Sequence, residues 1–280
     1  MGKFEGVLLA SDFDNTLVDT AGARQSGCAA ELSPGNREAL QHFMAEGGRF
    51  AVATGRALPA FQQIAPRIPL NAPCVICNGA ALYDFEKQCY LETLLLEGAL
   101  RERCQGVLDR FPGLALEGYH IENVIYAVRP NAYTREHAHV THVSVTERDS
   151  LEELPLPLGK LIFEDAHERL LEVREHLLQE SWAGEYEIFF SDKTLLELTA
   201  KGASKGNMVL RLAQRLGVSR EHIYCAGDEA NDLSMLTLAR EGFAPANAAA
   251  AVRESGATPV PAAKDDALAA IVEILDKRYA

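Results

Sequence analysis

The chain has 280 residues, room for one large or two modest domains, and its 48% hydrophobic and 24% charged content suits a globular protein whose core needs no staples. A formal net charge of −13 argues against nucleic acid and anionic membrane surfaces as partners. The six cysteines (Cys28, Cys74, Cys77, Cys89, Cys104, Cys225) form no regular framework, no signal-peptide pattern opens the chain, and no apolar run reaches membrane-spanning length, so a soluble, reduced, cytoplasmic protein is expected.

In chain order, the apolar run 7–10 ends in Ser11-Asp12-Phe13-Asp14. Ser33 then caps a helix with Pro34 at its first position, Leu40, Phe43 and Met44 on one face, and Gly47 to end it. Run 50–53 stops at Thr54-Gly55-Arg56 and run 74–77 at Asn78-Gly79. Runs this short and apolar on both faces read as buried parallel strands. In such a strand Cys74 and Cys77 face opposite sides, so burial rather than a shared metal or disulfide is expected.

The middle changes character. Residues 97–110 read as a helix, 114–119 and 123–128 as paired strands, 158–163 as a strand, 166–180 as a helix, and 185–190 with 194–198 as a hairpin. Helix followed by two strands occurs twice, an arrangement suggesting an inserted α+β unit over 86–199. The parallel pattern then resumes. Ser204 caps a helix with Val209, Leu212, Ala213 and Leu216 in line and Gly217 closing it, and the strand 223–226 runs into Gly227-Asp228-Glu229. Strands alternating with helices predict an α/β fold, a doubly wound parallel sheet built from 1–85 and 200–280, with ligands beyond the carboxyl ends of its strands.

The candidate chemistry collects at those ends. Asp12 can attack phosphorus as a carboxylate nucleophile, and Asp14, two residues on, can protonate a leaving oxygen and later take a proton from water. The pair also needs Thr16 to fix the turn; the plain alternative is an Asx turn ending a strand. Asp228 and Asp232 with Asp12 offer hard oxygen ligands suited to Mg²⁺, though acids at a helix start are common for the dipole alone. Thr54 can hold a phosphate oxygen through its hydroxyl and the N–H after it, or simply cap a helix. Lys205 stands at a helix start, where a cation is disfavoured unless an anion sits there too.

Taken in order, Asp12-Phe13-Asp14-Asn15-Thr16, Ala53-Thr54-Gly55-Arg56, Lys205 and Gly227-Asp228-Glu229-Ala230-Asn231-Asp232 resemble the haloacid dehalogenase-like phosphatase superfamily. Asn78-Gly79-Ala80, Lys201-Gly202-Ala203-Ser204-Lys205-Gly206 and Ala246-Asn247-Ala248 are similar to its Cof-like branch, subclass IIB, with a large C2-type cap. The resemblance implies a Rossmann-like core with 86–199 as a cap that selects substrate, and Mg²⁺-dependent hydrolysis of a small phosphorylated metabolite, such as a sugar phosphate, through an aspartyl-phosphate. It implies Asp12 as nucleophile and Asp14 as acid/base. Asp12, the Asp14 backbone carbonyl, Asp228 and Asp232 then serve the metal, and Thr54, Gly55, Lys205 and Asn231 the phosphate. The sequence departs from that pattern at Asn15, Pro245 and Asp266, where the branch commonly has Gly.

Two rivals use the same frame: a phosphomutase, which isomerises instead of releasing phosphate, and a non-catalytic regulatory protein, against which the retained Asp12 and Asp14 argue. In the insert, His137, His139 and His142 cluster; in a strand His142 would face away from the other two, so an exposed or substrate-facing segment is expected over a Zn²⁺ site. Trp182 is read as a packed aromatic, and Arg129, Arg135 and Arg148, which could meet a substrate anion, as solvated. Substrate identity and oligomeric state are not legible.

Overall fold

The structure is a computed structural model that describes residues 2–280. In chain order its strands are β1 (Leu8–Ser11), β2 (Arg49–Val52), β3 (Cys74–Ile76), β4 (Ala81–Asp84), β5 (Cys89–Thr93), β6 (Ala115–His120), β7 (Ile125–Val128), β8 (Val145–Arg148), β9 (Leu158–Glu164), β10 (Tyr186–Asp192), β11 (Leu195–Ala200), β12 (Ile223–Ala226), β13 (Glu241–Pro245) and β14 (Thr258–Val260). The α-helices are α1 (Thr20–Ser26), α2 (Pro34–Ala45), α3 (Leu58–Phe61), α4 (Leu100–Arg110), α5 (Ala132–Thr141), α6 (His167–Gln179), α7 (Lys205–Leu216), α8 (Leu233–Leu238), α9 (Ala250–Arg253) and α10 (Ala267–Arg278).

The chain divides into two compact units. One takes the described residues up to Thr54, with Ile64–Leu91 and Ser204–Ala280; the other takes Gly55–Gln63 and Glu92–Ala203. These limits differ from the 86–199 read from sequence. β3, β4 and β5 form one small sheet, which keeps residues up to Leu91 with the first unit. β11 runs on to Ala200, where Thr199 Oγ1 donates to Ala203 O (3.1 Å) and holds the exit of the second.

The first unit is a five-stranded sheet in the order β14-β13-β12-β1-β2, parallel at every step. Buried on both faces, as a parallel sheet must be, it packs Leu8, Leu9, Phe50, Tyr224 and Phe243 inside. α2 and α10 pack together, as do α7 and α8. The capping signals act as their chemistry requires. Ser33 accepts from Asn36 N with Pro34 in the first turn, and Ser204 accepts from Asn207 N while Gly217 closes α7 at φ 69°.

The second unit is a six-stranded sheet, β10-β11-β9-β6-β7-β8, antiparallel except between β7 and β8. Its apolar face carries Leu116, Leu161, Phe163, Leu196 and Leu198, packed with Leu100, Leu108, Leu170, Val173 and Leu177 of α4 and α6. Strand alternation puts Glu117, Tyr119, Lys160, Glu164, Glu197 and Thr199 on the other face, and all six are buried as well.

The histidine segment is helical. Residues 132–141 form α5 because Asn131 and Thr134 build a capping box, and His142 sits in the left-handed cap at φ 55°. His137 is thereby separated from the other two and turns to Glu117 and Glu164. Cys77 likewise lies past the end of β3, at φ 51°, and Cys74 and Cys77 are buried free thiols. No helix among the described residues is long and apolar enough to cross a membrane.

Candidate active site

The site assembles at the carboxyl edge of the parallel sheet. Asp12 follows β1, and its N–H donates to Ala226 O at the end of β12 (2.8 Å), so the loops after these two adjacent strands start level. Thr54 lies just beyond β2 and Asp228 just beyond β12. Register alone therefore gathers residues more than two hundred positions apart.

α7 brings the cation. Lys205 is its first residue and is 2% exposed, yet its Nζ lies 2.6 Å from both Asp12 Oδ1 and Asp232 Oδ1. Asp232 Oδ2 in turn accepts from the backbone N–H groups of Asp228 (2.9 Å) and Glu229 (3.0 Å). Gly227 permits this fold-back, since a Cβ there would meet the Asp232 Cβ at 2.4 Å. Thr16 Oγ1 donates to Asp228 Oδ1 at 2.8 Å, which ties the turn after β1 to the one after β12.

Electrostatics single out these groups. Burial pushes the Asp12 carboxyl up; Lys205 pulls it down, but Asp232 and Asp14 push it up again, to about 7. Burial, then Asp12 and Asp232, lift Asp228 to about 9 against the opposing Thr16 hydrogen bond and Lys205. Burial works to lower Lys205, but Asp12 and Asp232 outweigh it and hold the ammonium above its ordinary range. Oxygens of Asp12, Asp228 and Asp232 lie within 4.8 Å of one another. Fully ionised, the three buried carboxyls exceed the one ammonium by two negative charges, which is why Asp12 and Asp228 are held towards the neutral form here and why a divalent cation would suit the group. The donor set, oxygen only, fits a hard ion.

The remaining expected residues fall as follows. The Asp14 carboxylate accepts from Thr20 Oγ1 (2.8 Å) and stands outside the three-carboxylate group, leaving only its backbone carbonyl for the metal role expected of it. Thr54 is 1% exposed, and its carbonyl accepts from Asn78 N (3.1 Å). Asn231 Nδ2 donates to Asn78 Oδ1 (2.9 Å), while the buried Asn231 Oδ1 has no hydrogen-bond partner. Gly55 belongs to the second unit, where its carbonyl accepts from Lys160 Nζ at 3.0 Å. Two of the three departures have a backbone cause: Asn15 (φ 56°) and Asp266 (φ 62°) are left-handed, which Asn and Asp tolerate better than most residues. Asn247 secures the first of them, donating to Asn15 O (2.7 Å) and accepting from Ala263 N (2.9 Å).

The family model described as haloacid dehalogenase-like hydrolase matches residues 9–272. The pyridoxal phosphate phosphatase YbhA of Escherichia coli is 24% identical over 267 residues, covering 88% of this chain and 90% of that protein. The HMP-PP phosphatase of Cronobacter sakazakii is 27% identical over 240 residues, covering 85% and 84%. Among solved structures, a haloacid dehalogenase-like hydrolase from Bacteroides thetaiotaomicron matches with a TM-score of 0.79 at 24% identity, over 96% of this chain and 99% of that one. A HAD subclass IIB sugar phosphatase matches with a TM-score of 0.79 at 20% identity, over 96% and 99%. These structural likenesses are likenesses of fold.

Proposed function

The chain belongs to the haloacid dehalogenase-like hydrolases and is an enzyme of the phosphatase kind, and we propose that it hydrolyses a small phosphorylated metabolite with Mg²⁺, passing the phosphoryl group through Asp12. The observation that carries this reading is the buried group of Asp12, Lys205, Asp232 and Asp228 at the carboxyl edge of the sheet.

In the proposed first step, an Asp12 carboxylate oxygen bonds to phosphorus as the bond to the leaving oxygen breaks, and Asp14 supplies that oxygen with a proton. Asp14, now ionised, then takes a proton from water. The water oxygen attacks the aspartyl-phosphate at phosphorus, the Asp12–phosphorus bond breaks, and inorganic phosphate leaves with the Asp12 carboxylate restored. Lys205, already against Asp12, meets a phosphate oxygen and offsets the charge that develops there. Thr54 and Asn231 hold the other oxygens. Asp12, Asp228 and Asp232, with the Asp14 carbonyl, would hold Mg²⁺, which supplies charge neutralisation between nucleophile and phosphate when bound. The names of the relatives, a pyridoxal phosphate phosphatase and an HMP-PP phosphatase among them, favour a small metabolite over a polymer, as does the net charge of −13. The second unit is proposed as the cap that chooses among such metabolites.

The test is phosphate release from a panel of phosphorylated metabolites with Mg²⁺, using Asp12→Asn as the blank. Release of phosphate from at least one metabolite, absent in the blank, is expected. Isomerisation of a sugar phosphate without release would replace hydrolase by mutase.

A further inference from the structure

The second unit holds a buried cluster that the proposed reaction does not use. Glu117 on β6 and Glu164 at the end of β9 are 1% and 0% exposed, and His137 of α5 reaches both. Its Nδ1 lies 3.1 Å from Glu117 Oε2 and 3.0 Å from Glu164 Oε1. The Tyr119 hydroxyl also donates to Glu117 Oε2 (2.7 Å). The second oxygen of each carboxylate, Glu117 Oε1 and Glu164 Oε2, is buried and has no hydrogen-bond partner.

Buried carboxylates each with an orphan oxygen are costly, and no neighbouring side chain on this face removes the cost. Lys160 is committed to Gly55 O (3.0 Å) and Glu197 Oε1 (3.1 Å). A proton on His137 Nδ1 points along one direction but faces two acceptors, and an imidazolium between two carboxylates still leaves one surplus negative charge. We infer that Glu117, His137 and Glu164 form a metal site of their own, which takes a divalent first-row transition ion and ties α5 to the sheet through β6 and β9.

The geometry fits such an ion. Donor atoms of the three residues lie within 4.8 Å of one another. Nitrogen-to-oxygen edges of 3.0 and 3.1 Å subtend close to a right angle at an ion about 2.1 Å from each donor. Bidentate coordination would give the two orphan oxygens the partner they lack. With a neutral imidazole, a dication brings the cluster to zero charge. One nitrogen and two carboxylates distinguish it from the all-oxygen aspartate group, because imidazole suits later ions such as Zn²⁺, whereas an all-oxygen set suits Mg²⁺.

The experiment is titration of metal-stripped, full-length enzyme with Zn²⁺, and separately with Co²⁺, in excess Mg²⁺ so that the aspartate group is filled. One equivalent should bind, Co²⁺ should give a visible ligand-field spectrum with a nitrogen ligand, and α5 amides should gain hydrogen-exchange protection on Zn²⁺ addition. Asp228→Asn should keep all three signals. Glu164→Gln and His137→Gln should weaken binding by at least about a hundredfold, since even outer partners of a metal ligand cost roughly ten- to a hundredfold. Two substitutions on different elements guard against one that fails to fold, which circular dichroism reports. If wild type binds no Zn²⁺ in excess Mg²⁺, if Asp228→Asn abolishes the binding, or if folded Glu164→Gln and His137→Gln bind like wild type, the cluster is a proton-bridged network and the inference is wrong.

Discussion

Replacing Lys205 by Met removes the one ammonium among three buried carboxylates while keeping an apolar stem of similar length. Each 2.6 Å contact to Asp12 and Asp232 is worth about 6 kcal/mol gross at an effective dielectric constant near 20. Several kcal/mol of ammonium desolvation oppose this, so the expected net loss is the ~3–5 kcal/mol typical of removing one partner from a buried pair. Without Lys205 the Asp12 and Asp228 carboxyls, already raised, rise further above their unfolded values. A raised folded pKa contributes stability that is present at low pH and lost as pH rises through it. The deficit of the variant should therefore widen from acid to neutral pH and above. Urea denaturation of metal-stripped protein across that range reads it. In the assay with Mg²⁺, kcat/KM should fall roughly a hundred- to a thousandfold, the scale of losing one preorganised group that meets developing charge. Lys205→Arg should not rescue, because a planar guanidinium does not fit where one nitrogen meets two oxygens at 2.6 Å. An unchanged denaturation midpoint at all pH values, with kcat/KM within about threefold of wild type, would refute the charge argument.

Three further outcomes are expected. Asp12→Asn should keep the fold, lose turnover by roughly three orders of magnitude or more, and show no phosphoryl adduct by mass spectrometry; turnover within about tenfold of wild type removes the nucleophile. Excess chelator should abolish phosphate release and Mg²⁺ restore it, and Asp228→Asn should raise the Mg²⁺ needed for half-activation about tenfold or more; full activity in chelator removes the metal. Asp84 accepts from the backbone of Glu86 (3.0 Å) and Lys87 (2.9 Å), and although burial raises its carboxyl, these bonds and the Lys87 ammonium hold it below its ordinary value. Its stabilisation is present above the unfolded pKa and lost as pH falls through the folded one, so Asp84→Ala should cost about 1 kcal/mol at neutral pH and converge with wild type in acid, as read by urea denaturation.

The sheet core was legible because each signal had one local cause. The runs around Leu9, Phe50 and Tyr224 are apolar on both faces because parallel strands are covered on both sides, and Ser33, Ser204 and Gly217 cap helices with groups that have few other uses. Motif order then placed Asp12, Thr54, Asp228 and Lys205 on one edge. Depth and pairing were not legible. Nothing local says that Lys205 is buried or that it meets Asp232 as well as Asp12, since those contacts depend on how α7 docks. The departures at Asn15 and Asp266 proved to be backbone requirements: both are left-handed, where Gly is easiest and Asn or Asp serves.

The second unit was legible on one face and misleading on the other, for one reason. Alternation along β6, β9 and β11 separates Leu116, Leu161, Phe163, Leu196 and Leu198 from Glu117, Lys160, Glu164 and Glu197, and an isolated strand with that pattern reads as half-solvated. Here the charged face is also buried, and at β6 it is α5, the segment with three histidines, that packs against it. The Asn131 and Thr134 capping box was the missed signal, since Asn three residues before Thr, ahead of a run with Ala at its start, marks a helix entry. Once that run is helical, His137 no longer alternates with His142 but projects over the sheet onto Glu117 and Glu164. A buried charged face is stable only if each charge is answered. Lys160 answers Glu197, Tyr119 and His137 answer one oxygen of Glu117, and His137 answers one of Glu164. The two oxygens left over therefore point to a cation as the missing partner of this face, not to a flaw in its packing.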